Sequence, residues 1–347
     1  MEKTCDLCKE LMIKYDVGGT LNALARIVAG HIRVKGCSIR LLDEKNRTLE
    51  VIAAYGLSRE YLEKGPVKLE GDVVDGLVLK GEIKSTYDIA KEEPPYLDEI
   101  KREGIKSVLS VPLTAGGKAI GIIRVYSDAP HEFTEEEIEQ VRFFASLGGI
   151  LTEKAKTWDR LKALIDVARS ISGTLSPDEV FGLIVKAAAT GLGVRAASIG
   201  LLDREKKEIV TRAAFGLSNE YLVKGPVPVE KSPLDRECLE CNVVSVPDIS
   251  MESRLPDRDE LAREGIAGLL SVPLVVRGSV AGVLKAYTSY PYDFRREEID
   301  FLNGLSCQGA IAIENARLFE HIKKEYEELQ KDVWKWYEWG EHFPKKL

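Results

Sequence analysis

The segment that decides the fold is Ala54-Tyr-Gly-Leu-Ser-Arg-Glu-Tyr-Leu-Glu-Lys-Gly-Pro66. It returns almost unchanged 160 residues later as Ala214-Phe-Gly-Leu-Ser-Asn-Glu-Tyr-Leu-Val-Lys-Gly-Pro226. The same offset relates Asp88-Ile89 to Asp248-Ile249, and from Arg102 onward the offset becomes 161. A period this long exceeds the roughly 20–50 residues of a solenoid repeat and equals a whole domain. The 347-residue chain is therefore predicted to be one domain copied once.

Composition excludes several classes of protein. The chain has 49 Lys and Arg against 56 Asp and Glu, a net charge of −7, which argues against a nucleic-acid binder. It contains no apolar run of the roughly 20 residues that a membrane helix needs, and its start, MEKTCDLCKE, lacks the apolar core of a signal peptide. Six cysteines are too few for a disulfide scaffold. We therefore expect a cytoplasmic protein with no membrane partner and reduced thiols.

Within one copy, hydrophobic periodicity predicts an opening helix, five β-rich runs and a closing helix. The opening helix spans Leu11 to Val34, and two short helices are predicted at Gly71–Lys80 and around Tyr96–Arg102. The predicted strands are Cys37–Leu42, Thr48–Tyr55, Ile83–Tyr87, Val108–Leu113 and Ala119–Tyr126.

The closing helix is predicted to continue into the second copy. Thr134 followed by three glutamates is typical of a helix N-terminus, and no proline interrupts the pattern from Glu135 to about Ile171. Gly148-Gly149 is the one weak point of this helical pattern. The second copy closes in the same way, from Arg295 to about Trp336. Long helices without clear ends usually pack against a partner helix, so we expect a homodimer.

This order of elements resembles a GAF domain. Three segments of the first copy carry the resemblance, together with their counterparts in the second copy: Ser110-Val-Pro-Leu113, Ala119-Ile-Gly-Ile-Ile123 and Phe133-Thr-Glu-Glu-Glu-Ile138, then Ser271-Val-Pro-Leu274, Val280-Ala-Gly-Val-Leu284 and Phe294-Arg-Arg-Glu-Glu-Ile299. The resemblance implies an α+β fold of two GAF (PAS-like) domains joined by a long continuous helix. Each domain would be a roughly six-stranded antiparallel sheet with terminal helices on one face and a small-molecule pocket on the other. The expected limits are 1–156 and 157–322, followed by a helical tail at 323–347.

The resemblance also implies a function, which is to sense a small ligand and relay the signal through dimeric helices. The 27 residues after 320 are too few for a kinase, cyclase, phosphodiesterase or DNA-binding domain, so we expect a separate effector protein. No Walker A, HExxH or GxSxG sequence is present, which argues against an enzyme and leaves the cofactor unknown. Phe133 and Phe294, each followed by Glu137 or Glu298, match part of the cyclic-nucleotide pattern. The Asn-Lys pair of that class is missing, so a cyclic nucleotide is a minor alternative.

Two arginines inside apolar strands are the leading candidates for ligand contacts. Strand periodicity puts Ser38 and Arg40 on one face of one strand, and Arg124 and Tyr126 on one face of another. GAF-like topology makes these strands neighbours, so the two guanidinium groups could converge into a clamp for an acidic or phosphorylated molecule.

The alternative is purely structural. Each arginine could instead pair with an acidic residue such as Asp72 or Asp75. In the second copy Gly200 and Lys285 stand at the matching places, which would weaken a clamp there. We therefore expect the first copy to bind an acidic ligand and the second to be structural or differently tuned.

Aromatic residues in both copies could wall the pocket, although such residues are more often plain core. They are Tyr55, Tyr61, Tyr126, Phe215, Tyr221 and Tyr287. The tail holds a second aromatic group, Trp334, Trp336, Tyr337 and Trp339, which suggests a contact surface for its own dimer or for an effector.

Four of the six cysteines form two CxxC pairs, Cys5 with Cys8 and Cys238 with Cys241. Together they could complete a four-thiolate metal site, although they lie in different copies. Cys238 and Cys241 alone could be a redox dithiol, which makes a small thiol-based reductase of the GAF fold the second function hypothesis. Small apolar residues without chemistry are the third interpretation. A ligand-free dimerisation scaffold also stays open.

Overall fold

The chain is described here by a computed structural model that covers residues 17–341 except 45–46, 64, 70–72, 93–95, 172–175, 224 and 256. For Val17, Glu320 and residues 332–341 the description is limited to the backbone. Two compact units divide the chain between Trp158 and Asp159. Each unit contains one six-stranded antiparallel sheet with helices, which confirms the predicted α+β fold and the duplication.

The elements of the first unit follow the predicted order. They are α1 Val17–Ile32, β1 Gly36–Asp43, β2 Thr48–Tyr55, α2 Arg59–Leu62, β3 Val67–Lys68, α3 Val73–Leu79, β4 Lys84–Thr86, α4 Leu97–Glu103, β5 Ser107–Ala115, β6 Lys118–Ser127 and α5 Glu135–Ile171. A short 3-10 turn, Ile89–Lys91, follows β4. The predicted residues 11–16 of the opening helix lie outside the described residues.

The second unit repeats this series. Its elements are α6 Pro177–Leu192, β7 Ala196–Asp203, β8 Glu208–Phe215, α7 Asn219–Val223, β9 Val227–Pro228, α8 Pro233–Leu239, β10 Val244–Val246, α9 Arg258–Arg263, β11 Gly268–Val276, β12 Ser279–Thr288 and α10 Arg296–Glu341. Two 3-10 turns, Val229–Lys231 and Ile249–Met251, flank α8 and β10.

The two sheets have the same topology. The strand order is β3-β2-β1-β6-β5-β4 in the first and β10-β11-β12-β7-β8-β9 in the second, which is the same order read from the other edge. The sixth strand of each sheet, β3 or β9, is only two residues long, which is too short to leave a recognisable alternation in the sequence. The central pair is β1 with β6 in one unit and β7 with β12 in the other.

One face of each sheet packs against the long helices. In the first unit, Leu21 and Leu24 of α1 pack with Val141 of α5 and with strand residues such as Ile39 and Ile123. In the second unit the last turns of α5, together with α6 and α10, cover the equivalent face of the sheet. These helix-facing residues are fully or almost fully buried, so this face forms the main core of each unit.

The long helix α5 begins as predicted. The Thr134 hydroxyl accepts a hydrogen bond from the Glu137 amide at 3.3 Å, and the Glu137 carboxylate accepts one from the Thr134 amide at 2.8 Å, which is a capping box. Burial raises the pKa of Glu137, but the hydrogen bonds from Thr134 and His131 outweigh it and hold that pKa below its usual value. Glu137 therefore serves the start of the helix. The helix then runs without interruption to Ile171, which confirms the predicted continuous helix.

The two glycines in α5 are explained by close packing. A Cβ on Gly149 would lie 1.8 Å from the carbonyl oxygen of Thr114 in β5, and a Cβ on Gly148 would lie 2.8 Å from Cδ2 of Leu24. The helix backbone therefore touches the sheet here, where any other residue would hold it away. None of the described helices is both long and apolar enough to cross a membrane.

Candidate functional site

The second face of each sheet is covered by the short helices of the insertion, α2 to α4 in the first unit and α7 to α9 in the second. In β1, Cys37 and Ile39 point into the helix-facing core, so Ser38 and Arg40 point to the insertion. Ser38 lies directly opposite Arg124 of β6 in the register, and Arg40 lies opposite Ile122. The two predicted arginines are thus on one face of adjacent central strands.

Arg124 is held in an ion pair. Its Nη2 donates a short hydrogen bond to Oδ1 of Asp75 on α3, and its Nε donates to the Ser110 hydroxyl at 2.9 Å. Asp75 is fully buried, and Arg124 is partly buried. The structural alternative, a strand arginine paired with an acidic residue of the insertion, is therefore the arrangement found for Arg124.

Arg40 is different, because it is 1% exposed and forms no ion pair with a carboxylate among the residues that the structure describes. Its Nη2 donates to the Tyr126 hydroxyl at 3.3 Å, and that hydroxyl also shares a hydrogen bond with Ser38 at 2.9 Å. Nε and Nη1 of Arg40 are buried, and none of the described residues accepts a hydrogen bond from them. The Tyr61 ring lies edge-on to Tyr126 at 6.0 Å, and burial raises its pKa well above the usual range.

The second unit repeats the ion pair with lysine in place of arginine. Nζ of Lys285 lies 2.6 Å from Oδ1 of Asp235 on α8, and the Ser232 hydroxyl donates to Oδ2 of Asp235 at 2.9 Å. Burial alone lowers the pKa of Lys285, but the negative charge of Asp235 outweighs it and raises that pKa above its ordinary value. The pair Ser198 and Tyr287 repeats Ser38 and Tyr126, with a hydroxyl separation of 3.0 Å.

A cavity of about 280 Å³ lies beside this second ion pair. Its walls come from the insertion-facing side of the second sheet and from α7 to α9. Among the described residues that line it, Lys285 is the one basic residue, against three acidic ones, Asp235, Asp257 and Glu260. Tyr221 lines the cavity and donates to Asp257 at 3.4 Å. The wall thus combines apolar surface with a few fixed polar groups, as small-molecule sites do.

The position of Arg40 is the main difference between the two copies. Gly200 stands there in the second copy and lines the cavity, so no side chain extends from that point of the sheet. A Cβ on Gly200 would lie 2.4 Å from Cγ2 of Ile209, which lines the same cavity. In the first copy the residue matching Ile209 is Leu49, which has no branch at Cβ and leaves room for the stem of Arg40. The cavity of the second copy therefore includes the space above Gly200, at the position where the first copy has the Arg40 side chain.

The other predicted site residues are divided between the two faces of the sheets. Tyr126 and Tyr287 lie with the polar clusters. Tyr55 pairs with Cys37 in the register, which puts it on the helix-facing side, and 46% of its surface is exposed. It is not brought together with Arg40 and Arg124.

Cys238 and Cys241, the CxxC pair of the second copy, do not share a helix face. Cys238 is fully buried on α8, whereas Cys241 is exposed beyond the end of that helix with a φ of +70°. Burial raises the pKa of Cys238 to about 11, although the hydrogen bond from Ser271 opposes that shift. Cys5 and Cys8 lie outside the described residues. Within the described part of the chain, no group of three or more His, Cys, Asp or Glu side chains could hold a metal ion.

The aromatic residues of the tail lie on the last part of α10, where their side chains are not described. Glu298, like Glu137, accepts a hydrogen bond from a backbone amide at the start of its helix, that of Arg295 at 3.0 Å. Both glutamates of the partial cyclic-nucleotide pattern therefore serve helix N-termini.

Asp235 and Gly200 are the residues whose importance the sequence analysis missed. Asp235 repeats Asp75 at the 160-residue offset, so a search for polar residues identical in both copies would have found the pair. The sequence predicts only that a clamp is weakened in the second copy, where Gly200 replaces the arginine. Whether the loss of the arginine side chain leaves a cavity depends on how the insertion packs, which the sequence does not reveal.

Comparisons with known proteins agree with this fold. The profile of the GAF domain family matches residues 16–153 and 174–314. The formate hydrogenlyase transcriptional activator FhlA of Escherichia coli (strain K12) is 22% identical over 364 residues, covering 93% of this chain and 50% of FhlA. The chain thus spans half the length of this curated relative.

Two solved structures are similar to this chain at low sequence identity. Bacteriophytochrome RpBphP3 from the photosynthetic bacterium R. palustris has a TM-score of 0.51 and 12% identity, covering 90% of this chain and 74% of that chain. The GAF domain of a phosphoenolpyruvate-protein phosphotransferase from Coxiella burnetii has a TM-score of 0.44 and 21% identity over 48% of this chain and 98% of its own. At such identities the likeness concerns the fold alone.

Proposed function

The chain belongs to the GAF domain family, with one copy of this small-molecule-sensing domain in each unit, and from this premise we propose that it is a sensor whose second copy binds a small molecule. The observation that carries the proposal is the cavity of about 280 Å³ beside Lys285 and Asp235. For comparison, an engineered cavity of about 150 Å³ accommodates benzene, so this cavity can enclose a metabolite of moderate size.

The lining of the cavity suits recognition of a polar ligand. Lys285 and the three carboxylates offer both a donor and several acceptors, and Tyr221 and Tyr287 add aromatic surface. Because the acidic side chains outnumber the basic one among the described lining residues, we expect the cavity to favour a neutral or cationic molecule over an anion. Polar groups at fixed positions, together with the apolar part of the wall, give orientation and specificity.

Strands β11 and β12 connect the cavity with the long helices. In β12, Lys285 faces the cavity, whereas Leu284 and Ala286 pack in the helix-facing core. In β11, Ser271 lines the cavity. Pro273 follows two positions later in the same strand, and its carbonyl oxygen accepts a hydrogen bond from the Ser306 hydroxyl of α10 at 2.5 Å. In our proposal a ligand shifts these strands and thereby α10. It does so only if it binds two arrangements of the helix with different affinity.

The exposed face of α10 provides the predicted dimer contact. Ile311, Leu318, Ile322 and Leu329 are exposed and follow one another at spacings of seven, four and seven residues. That spacing is the a/d pattern by which parallel helices associate. We propose that two copies of the chain pair along this stripe and that an effector reads the change. The transcriptional activator FhlA, similar to this chain along half its length, supports a regulatory role of this kind.

Charged substitutions in this stripe should separate the dimer. Ile322→Glu combined with Leu329→Glu puts four carboxylates into the seam of two helices, so we expect the mass to fall from two chains to one in light scattering coupled to gel filtration. The control is Lys324→Glu with Lys331→Glu, which has the same spacing but lies two residues further round the helix. A wild-type mass of one chain, or an unchanged mass in the variant, contradicts the dimer.

The ligand proposal is tested by a thermal-shift screen of small neutral, cationic and acidic metabolites against the full chain. We expect one chemical class to raise the melting temperature by a few degrees, since saturation at about 100 times Kd adds about 2.7 kcal/mol. The control is Gly200→Arg with Ile209→Leu, which installs the residues of the first copy and fills the cavity. If every compound acts equally on wild type and this variant, the cavity is not the site.

The thiol reductase is the weaker candidate. A thiol with a pKa of about 11 is almost entirely protonated at neutral pH and is a poor nucleophile. Cys238 is also buried while Cys241 is exposed. The sensor proposal predicts binding without turnover.

A further inference from the structure

Arg40 carries a positive charge that the described protein does not neutralise. A guanidinium stays protonated at all ordinary pH values, so its burial at 1% exposure cannot be relieved by losing a proton. Its Nη2 reaches only a neutral hydroxyl, that of Tyr126, and its Nε and Nη1 have no acceptor among the described residues. A buried charge in this state is destabilising unless an anion joins it.

Among the described residues, no neighbouring side chain supplies that anion, and Asp72, the other carboxylate predicted as a partner, lies outside the described residues. The Asp75 carboxylate is engaged by Arg124, which lies on the adjacent strand. Ser38 and Tyr126 contribute hydroxyls that hydrogen-bond to each other. Tyr61 stays neutral because burial raises its pKa. Counted over the described residues, two guanidinium groups against the one carboxylate of Asp75 give this polar cluster a net positive charge.

We propose that the first copy is an anion receptor, in which a small carboxylate or phosphate binds to the free donors of Arg40. Nε and Nη1 lie on different edges of the guanidinium plane, so an oxyanion binds at one of them and takes its second, parallel hydrogen bond from the remaining hydrogen of Nη2. This inference rests on the proposed function, since it gives the first GAF copy a ligand class of its own. The second copy has Gly200 in this place and an acid-lined cavity, and it therefore lacks the receptor.

The two copies thus recognise different chemistry with the same framework. Serine, tyrosine and aspartate are kept at matching positions, and the exchange of Arg40 for Gly200 removes one cation. Residue Tyr96 of the first copy corresponds to Asp257 of the second, which adds an anion there. Charge alone then directs an anionic ligand to the first copy and a neutral or cationic one to the second.

Hydrogen exchange of the full chain, followed by mass spectrometry, tests the receptor. The probes are sodium acetate and inorganic phosphate, each compared with sodium chloride at equal ionic strength. We expect one of them to slow exchange in peptides of β1 and β6 about tenfold at about ten times its Kd, and to leave β7 and β12 unchanged. A response to acetate alone identifies a carboxylate ligand, and a response to phosphate alone identifies a phosphate.

Two variants make the test specific to Arg40. Arg40→Met removes the charge and keeps the length of the side chain, so it should abolish the anion response and slow exchange of β1 in anion-poor buffer. Arg40→Lys should keep a weaker response, because lysine has the charge without the planar fork. The proposal is overturned if neither anion protects the wild-type β1 and β6 peptides, or if the anions protect Arg40→Met equally. Failure of the cavity proposal is distinguishable, because it would appear as a lack of protection of the β7 and β12 peptides by the compounds of the thermal-shift screen.

Discussion

Gly149→Ala is expected to destabilise the first unit severely, by about 3 kcal/mol or more. The added Cβ would lie 1.8 Å from the carbonyl oxygen of Thr114 and 2.6 Å from its carbonyl carbon. Both atoms belong to the backbone of β5, so neither can turn away as a side chain could. The helix α5 must move off the sheet, which opens the core formed with Val141 and Leu21.

Urea unfolding followed by hydrogen exchange measures this effect unit by unit. Each unit has its own core, so the loss should appear in peptides of β5 and β6 and not in those of β11 and β12. The matched control is Gly30→Ala in α1, where a Cβ meets nothing within 4 Å. That change should stabilise the unit by about 0.5–1 kcal/mol, the usual gain from alanine in a helix. Equal unfolding midpoints for Gly149→Ala and wild type would show that α5 does not touch the sheet here.

Asp75→Ala should have the second large effect, about 3–5 kcal/mol, because it removes one partner of a buried ion pair. Asp75 is 0% exposed and its partner Arg124 is 14% exposed, so the arginine that loses its partner cannot be fully rehydrated. Arg40 adds a second buried cation to the same cluster. The variant therefore leaves two guanidinium groups in a cluster that has lost the carboxylate paired with Arg124.

The second copy provides the control for this prediction. Asp235→Ala removes the equivalent carboxylate, but Lys285 is 22% exposed and flexible, and Gly200 contributes no second cation. We expect a loss of about 1–3 kcal/mol there. Urea unfolding with hydrogen exchange in each unit compares the two variants. A smaller loss for Asp75→Ala than for Asp235→Ala would contradict the account of the charges in the first copy.

Much of the fold was predictable because the same domain sequence occurs twice in the chain. The repeated segment beginning at Ala54 and Ala214 fixes the duplication, and period-two alternation gives the faces of β1 and β6. Thr134 and Glu137 mark the start of α5 by local hydrogen bonds, which depend on sequence alone. The two-residue strands β3 and β9 were not predictable, since they are defined by their neighbours and not by their own side chains.

The candidate site was predictable only in part. Strand periodicity correctly brings Arg40 and Arg124 to one face, but it does not say which of them Asp75 approaches. That choice depends on how α3 lies across the sheet. The cavity depends on packing as well, because Gly200 creates space only where the insertion does not collapse into it. The partner of Asp75 and the presence of the cavity both depend on tertiary packing, which the residue pattern of a single strand does not predict.

The central claim is that a small molecule binds in the cavity of the second copy, and calorimetric titration of the full chain tests it most directly. The titrant is the compound that raises the melting temperature most in the screen. We predict one molecule bound per chain in the wild type and in Arg40→Met, and no measurable binding to Gly200→Arg with Ile209→Leu. Equal affinity of that filled variant and the wild type would contradict the claim.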